Sequence, residues 1–259
     1  MTRDRGLAHA QKYLGDFETV VAARIEQQGR VRLLEAGCGY GVAMMELVRA
    51  FGDAVEVHGF NYSPVDGDER RMRTEAVERG IFTEQDLAGV TLPRITFCDA
   101  SKPLPFPDGS FDFVYSQASM YLYDDKAAFL RECNRLLAPG GVARVNPSLH
   151  FDEKDAPRKY QGYWEIWDGG REVELGDHLK GVEGIDLVWP AGREHPDLAY
   201  VEVRRQDELD LGLRLVASVD LNFLWHEWGG VRSVYSTQVE FTPRYKRELS
   251  RPATAEAPA

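Results

Sequence analysis

Glu35, Gly37, Gly39 and Gly41 stand in the stretch "EAGCGYG", between an apolar run and a helical pattern. Glycine accepts positive φ and lets a ligand come up against bare backbone. The free N–H groups and the positive end of the following helix then face that ligand. Spacing separates the ligand classes. Dinucleotide turns read G-x-G-x-x-G, whereas this turn reads G-x-G-x-G, with Glu35 just ahead of it and Cys38 inside it. Asn61, Tyr62, Asp99, Ala100, Ser116 and Gln117 fall at or just past the ends of other apolar runs. In an open parallel sheet, ligands bind at those carboxyl ends.

Alternating strands and helices must carry these residues. Residues 8–28 read as one helix, with Tyr13, Phe17, Val20, Val21 and Ile25 at three- and four-residue spacings. Strands follow at 31–36, 55–60, 94–98, 111–116 and 142–146, with helices at 42–51, 68–79 and 126–137 between them. "APGG" at 138–141 stops the last helix. This alternation predicts an α/β domain with a mostly parallel sheet and helices on both faces. Beyond 146 the rhythm breaks, and 147–195 is rich in Gly, Trp, Tyr and charge without a clear period. Regular structure is expected again at 199–204, then in a pair at 213–224 and 231–242 around Gly229 and Gly230, which fit a hairpin turn. Such an antiparallel pair would close the sheet edge. The expected division is one domain over 1–246, with an N-terminal helix or lid at 8–28, a cofactor-binding core at 30–146, an acceptor-side insertion at 147–195 and closing strands at 199–242. Residues 247–259, small and polar, are expected to be a disordered tail.

The 259 residues carry a formal charge of −11, with 43% hydrophobic and 28% charged residues. An acidic surface repels phosphate backbones, which argues against a nucleic-acid substrate. No apolar stretch approaches the ~18 residues of a membrane span. The first residues lack the apolar core of a secretory signal. Cys38, Cys98 and Cys133 form an odd, sparse set without C-x-x-C. They predict reduced thiols in a cytoplasmic protein, and no metal site is expected. Nothing in the sequence fixes an oligomeric state.

"EAGCGYG" resembles motif I of the class I S-adenosylmethionine-dependent methyltransferases, which often reads (E/D)-x-G-x-G-x-G. Four further stretches follow in order: "VHGFNYSP" at 57–64, "ITFCDA" at 95–100, "LPFPDGSFDFVYSQASMYLYDD" at 104–125 and "FLRECNRLLAPGGVARV" at 129–145. The resemblance covers roughly residues 30–146 and is strongest to the type 11 subgroup. It implies a Rossmann-like, seven-stranded, mostly parallel sheet with a C-terminal antiparallel hairpin, and S-adenosyl-L-methionine as cofactor. It also implies roles. Glu35 and the backbone of Gly37, Cys38, Gly39 and Gly41 hold the amino-acid end. Asp99 takes the adenine amino group beside the main chain of Ala100, and Ser116 and Gln117 lie under the methionine part. Asn61 departs from the family, which usually has an acid there gripping both ribose hydroxyls. Its oxygen and amide can still bond both. Tyr62 is placed to lie against adenine.

Methyl transfer is an in-line displacement at an activated methyl, so alignment and exclusion of water matter most. A proton acceptor is needed only for a nucleophile that is not already deprotonated. Tyr121 and His150, on loops after the fourth and fifth strands, are the catalytic candidates, with Tyr123, His226 and Glu227 also near strand ends. Tyr160, Tyr163, Trp164 and Trp167 are candidates for an apolar lid over a small-molecule acceptor. The reacting atom of that acceptor, O, N or C, is left open. Two other classes compete: a protein that binds S-adenosylmethionine or S-adenosylhomocysteine without turnover, and a NAD-dependent oxidoreductase.

Overall fold

Apolar runs covered on both faces fix the middle of this molecule. In the computed structural model, described over residues 4–117, 119–123, 125–146, 164–166, 171–173, 178–188, 200–220, 225–228, 231–234 and 241–247, the chain begins with helices α1 (Leu7–Leu14) and α2 (Phe17–Gln28). Then come β1 (Val31–Ala36), α3 (Val42–Phe51), β2 (Val55–Asn61), α4 (Glu69–Glu78), the short α5 (Glu84–Leu87), β3 (Arg94–Phe97), β4 (Phe111–Ser116), α6 (Lys126–Leu136) and β5 (Leu137–Val145). Short strands β6 (Trp164–Ile166), β7 (Arg171–Val173) and β8 (Ile185–Val188) precede β9 (Tyr200–Arg204), β10 (Leu213–Asp220), β11 (Trp225–Trp228), β12 (Val231–Val234) and β13 (Phe241–Arg247).

The main sheet has seven strands in the order β3-β2-β1-β4-β5-β9-β8. The first five pair parallel, and β9 runs antiparallel to both its neighbours. Side chains alternate between two faces, as strand geometry requires. Leu34 and Val114 pack with α6 residues Phe129, Leu130 and Cys133 on one face. Leu33, Phe113 and Tyr115 pack with Phe17 of α2 and Met44, Met45 and Leu47 near and within α3 on the other. Because β1 is central, all but one of its residues are buried, and its carboxyl end opens between β2 and β4.

Several expectations are corrected. The helix expected over 8–28 is two helices, because Gly15 at φ 73° turns the chain between them. Tyr200 sits 3.1 Å from where a Gly15 side chain would begin. The "APGG" stop holds, but residues 138–141 belong to β5, in a bulge that sets Phe111 opposite Leu137 and Phe113 opposite Val142. The sheet does close with antiparallel strands, yet these are β8 and β9. The expected pair beyond residue 213 builds something else: β10 and β13 join β6 and β7 in a second sheet, ordered β10-β13-β6-β7. The strands on either side of Gly229 and Gly230 pair antiparallel, Trp228 with Val231, as a separate two-stranded ribbon, and the two glycines lie outside the described residues. The region 147–195, read as without period, contains strands β6, β7 and β8, each too short to print a pattern. Residues 248–259, including most of the expected tail, lie outside the described residues.

Candidate cofactor site at the carboxyl ends of the strands

The glycine turn leaves β1 with Gly37, Gly39 and Gly41 at φ 66°, 54° and 71°. A side chain on Gly37 would meet Cβ of Ser119 at 2.3 Å, so the loop after β4 demands glycine here. Gly41 caps α3, whose first backbone N–H groups therefore face the turn. Cys38 N–H bonds Phe60 O at 3.1 Å, which ties the turn to β2.

Glu35, the penultimate residue of β1, is buried beneath the turn. Its two oxygens are separately held: Gln117 Nε2 donates to Oε1 at 2.7 Å, and Tyr115 OH to Oε2 at 3.1 Å. Tyr115 reaches it because β1 and β4 are in register, Glu35 opposite Tyr115. Burial pushes the Glu35 carboxyl up to about 8, and the hydrogen bonds from Gln117 and Tyr115 only partly oppose it. Among the described residues no basic side chain pairs with Glu35. A buried carboxylate with neutral donors alone is well suited to receive a cation from outside.

Ser116 and Ser119 extend the floor. Ser119 Oγ lies 2.8 Å from Ala36 O, 2.7 Å from Ser116 Oγ and 2.6 Å from Tyr123 OH. Ala36 O can only accept, so it takes the single Ser119 proton, and Ser116 and Tyr123 must donate to Ser119. Tyr123 is thereby held protonated, and burial raises its phenol well above the ordinary range. That disfavours Tyr123 as a proton acceptor.

Asn61 does not face outward for a ribose. Its Oδ1 accepts from Gly39 N–H at 2.9 Å, and its Nδ2 donates to Gly39 O at 2.9 Å and to Gly67 O at 2.8 Å. One donor and two acceptors in the backbone fix the amide orientation. Asn61 is thus a latch between the glycine turn and the loop ending at Gly67. Gly67, at φ 143°, passes so close that its Cβ would stand 2.0 Å from Gly39 O.

Tyr62, beside it, is 76% exposed, and Val65 and Phe97 are also exposed at the same corner. Asp99 follows β3, where Cys98 N–H bonds Asn61 O at 3.0 Å. Its carboxylate accepts from Ser101 N–H at 2.9 Å and pairs with Lys102 at 3.2 Å. Ala100 is buried in the core. Asp99, Asn61, Glu35 and Gln117 therefore follow one another along the strand ends β3, β2, β1 and β4. Three strand intervals of ~4.8 Å make a row of roughly 14 Å, long enough for a base, a sugar and an amino acid laid end to end.

The catalytic candidates fare differently. Tyr121 lies in a single 3-10 turn, Met120–Leu122, directly after the β4 loop. His150, with Tyr160, Tyr163 and Trp167, lies outside the described residues. Trp164 begins β6, and His226 and Glu227 lie in β11, which pairs with β12 in a ribbon separate from the main sheet. Sequence reasoning missed Tyr115, Ser119, Gly67 and His9, whose Nδ1 lies 3.0 Å from Gln117 Oε1. Only Tyr115 left a signal, since it shares a strand face with Phe113 two residues earlier.

Residues 34–145 match the model of a family described as "Methyltransferase domain". Among curated relatives, a probable phthiotriol/phenolphthiotriol dimycocerosates methyltransferase 2 of Mycobacterium ulcerans is 29% identical over 63% of this chain and 56% of its own length. A dimethylglycine N-methyltransferase of Parasynechococcus marenigrum is 30% identical over 54% of each. The chain spans about half the length of the curated relatives it matches. Among solved structures, a SAM-dependent methyltransferase from Aquifex aeolicus aligns with 75% of this chain and 91% of its own, at 16% identity and a TM-score of 0.46. No helix among the described residues is long and apolar enough to cross a membrane. With a glycine turn after β1 and main-sheet strands in the order 3-2-1-4-5, residues 34–145 are thus the stretch of this chain that is similar to the methyltransferase domain family.

Proposed function

We propose that the protein transfers the methyl group of S-adenosylmethionine to a small-molecule acceptor. The carrying observation is Glu35, a buried carboxylate at the mouth of the glycine turn, held by Tyr115 and Gln117 without a basic partner among the described residues. An ammonium group would supply the missing charge. When bound, S-adenosylmethionine supplies an electrophilic methyl on a sulfonium. The chain's part is to bind and align it: Glu35 and the glycine backbone at the amino-acid end, Ser116 and Gln117 beneath, and Asp99, Ala100 and Tyr62 toward adenine. Asn61 supports the turn rather than the ribose. Tyr115 and Tyr123 are kept protonated by burial, so a proton acceptor, where the acceptor group needs one, comes from Tyr121 or from His150 or from the acceptor's own ionisation. Residues 147–195 are proposed to border the acceptor, and the protein to work in the cytoplasm, where sparse cysteines stay reduced.

Calorimetry with S-adenosylmethionine, S-adenosylhomocysteine and NAD tests the cofactor. Binding of the first two and not of NAD is expected, with Glu35→Gln weakening S-adenosylmethionine at least severalfold. A product screen with labelled cofactor then offers amines such as dimethylglycine, fatty acids and hydroquinones, the acceptor chemistries named for relatives. NAD binding alone would overturn the reading. Cofactor binding with no methylated product across the panel would favour a binding protein.

A further inference from the structure

Helix α1 is fastened to the fold at both ends and touches the site in between. At its start, Leu7 N–H donates to the Glu46 carboxylate on α3. At its end, Arg144 of β5 donates to Leu14 O at 3.0 Å. Between them Leu7, Ala10, Tyr13 and Leu14 bury one stripe in the core. His9 lies off that stripe and reaches instead to Gln117, with Nδ1 at 3.0 Å from Oε1. Gln117 is itself buried, and its Nε2 is spent on Glu35 at 2.7 Å. The amide can therefore show His9 only its oxygen, so His9 Nδ1 carries the hydrogen and donates.

We propose that His9 is a positioning residue for the amino-acid end of the cofactor. Through Gln117 it fixes the Glu35 carboxylate, and in return the occupied site holds α1 down. The inference rests on the reading that Glu35 receives the cofactor's ammonium group. A primary amide that bonds only one partner rotates about its last torsion, which is broad for sp² ends. With His9 in place both ends of Gln117 are committed, and Glu35 is presented in one geometry. Binding energies are reciprocal, so a helix that improves cofactor binding must be stabilised by the cofactor to the same extent. The His9 ring also packs against Tyr13, tilted by 45° with centroids 4.3 Å apart. That contact offers a purely packing explanation, and the two chemistries separate by substitution. His9→Asn keeps a donor near the position of Nδ1 and discards the ring. His9→Phe keeps a ring against Tyr13 and discards the donor.

Affinity for S-adenosylmethionine by calorimetry, melting curves of the cofactor-free protein, and hydrogen exchange of residues 7–14 with and without cofactor make the test. Expected results are affinity within threefold of wild type for His9→Asn and a loss of roughly 3- to 10-fold for His9→Phe and His9→Ala, the scale of one net hydrogen bond. Cofactor should slow exchange in 7–14 in the wild type and less so in His9→Phe. Wild-type binding that depends on Glu35 together with unchanged affinity in His9→Phe would overturn the inference alone. So would cofactor-independent exchange in 7–14, a readout that holds even if a variant fails to fold. Wild-type binding indifferent to Glu35→Gln would instead overturn the reading beneath it.

Discussion

Glu35 shows how a single residue converts burial into a pH response. Its carboxyl is raised from 4.5 to about 8 in the cofactor-free protein. The folded chain therefore holds this proton more tightly than the unfolded chain does. The corresponding stability is fully present below about pH 4.5 and is lost as pH rises through about 8. An arriving ammonium reverses the preference, because an adjacent opposite charge favours the carboxylate. Binding of S-adenosylmethionine near about pH 6.5 should thus release close to one proton. Affinity should rise with pH toward about 8 and fall again as the cofactor's own ammonium loses its proton. Calorimetry in buffers of different ionisation enthalpy reads the released proton directly, and Glu35→Gln should abolish it. Proton-neutral binding in the wild type would place the ammonium elsewhere. Glu35 was legible in the sequence because its spacing to the glycines is local. Tyr115, Ser119 and His9 were not, because their partners are 80, 83 and 108 residues away for Tyr115–Glu35, Ser119–Ala36 and His9–Gln117.

Between elements, the informative contact is the one that joins the turn after β1 to the loop after β2. The motif position of Asn61 was readable, but its direction was not. A spare hydrogen-bonding side chain at a strand end satisfies whichever backbone groups the fold leaves open, and here those belong to Gly39 and Gly67. The usual family acid would not fit this arrangement. A carboxylate could keep the Gly39 N–H, but it has no hydrogen for the Gly39 and Gly67 carbonyls. Asn61→Asp should consequently weaken cofactor binding and cost about 1–3 kcal/mol of stability, the penalty for buried groups left unsatisfied. Denaturant unfolding and a cofactor titration on the same variant check it. Tighter binding by Asn61→Asp would return this side chain to the ribose. Helix boundaries show the same division between local and distant causes. Asp68 and Asp125 cap α4 and α6 through Arg71 and Ala128 N–H, and those starts were foreseeable within a residue. The break at Gly15 answers to Tyr200, far along the chain, and was not.

Across the whole molecule, the N-terminal helices and the last strands of the main sheet are joined through Arg144. It pairs with Glu202 across β5 and β9 at 3.0 Å, holds the end of α1 through Leu14 O at 3.0 Å, and lies over the Tyr200 ring at 5.0 Å. Arg144→Leu should destabilise by roughly 2–3 kcal/mol. That is below the 3–5 kcal/mol of a lone buried pair, since Arg204 remains 3.2 Å from Glu202. Arg144→Lys should recover only part, because an ammonium cannot serve two acceptors in the same fork. Urea unfolding measures both, and a loss under about 0.5 kcal/mol would mean that the contact is incidental. The five parallel strands were legible from their apolar runs. Of the closing strands, β9 was legible at 199–204, β8 was missed because it is short, and the longer apolar segments beyond residue 213 belong to another sheet. That second sheet carries a temporal consequence. Strand β6 pairs in parallel with β13, Glu165 beside Arg244 and Ile166 beside Tyr245. At a synthesis rate of 5–20 residues per second, β6 waits about 4–16 s for its partner. The glycine turn, Glu35 and Gln117 have all been made before that interval opens. The nascent protein therefore completes the proposed cofactor site while one edge of β6 still stands bare.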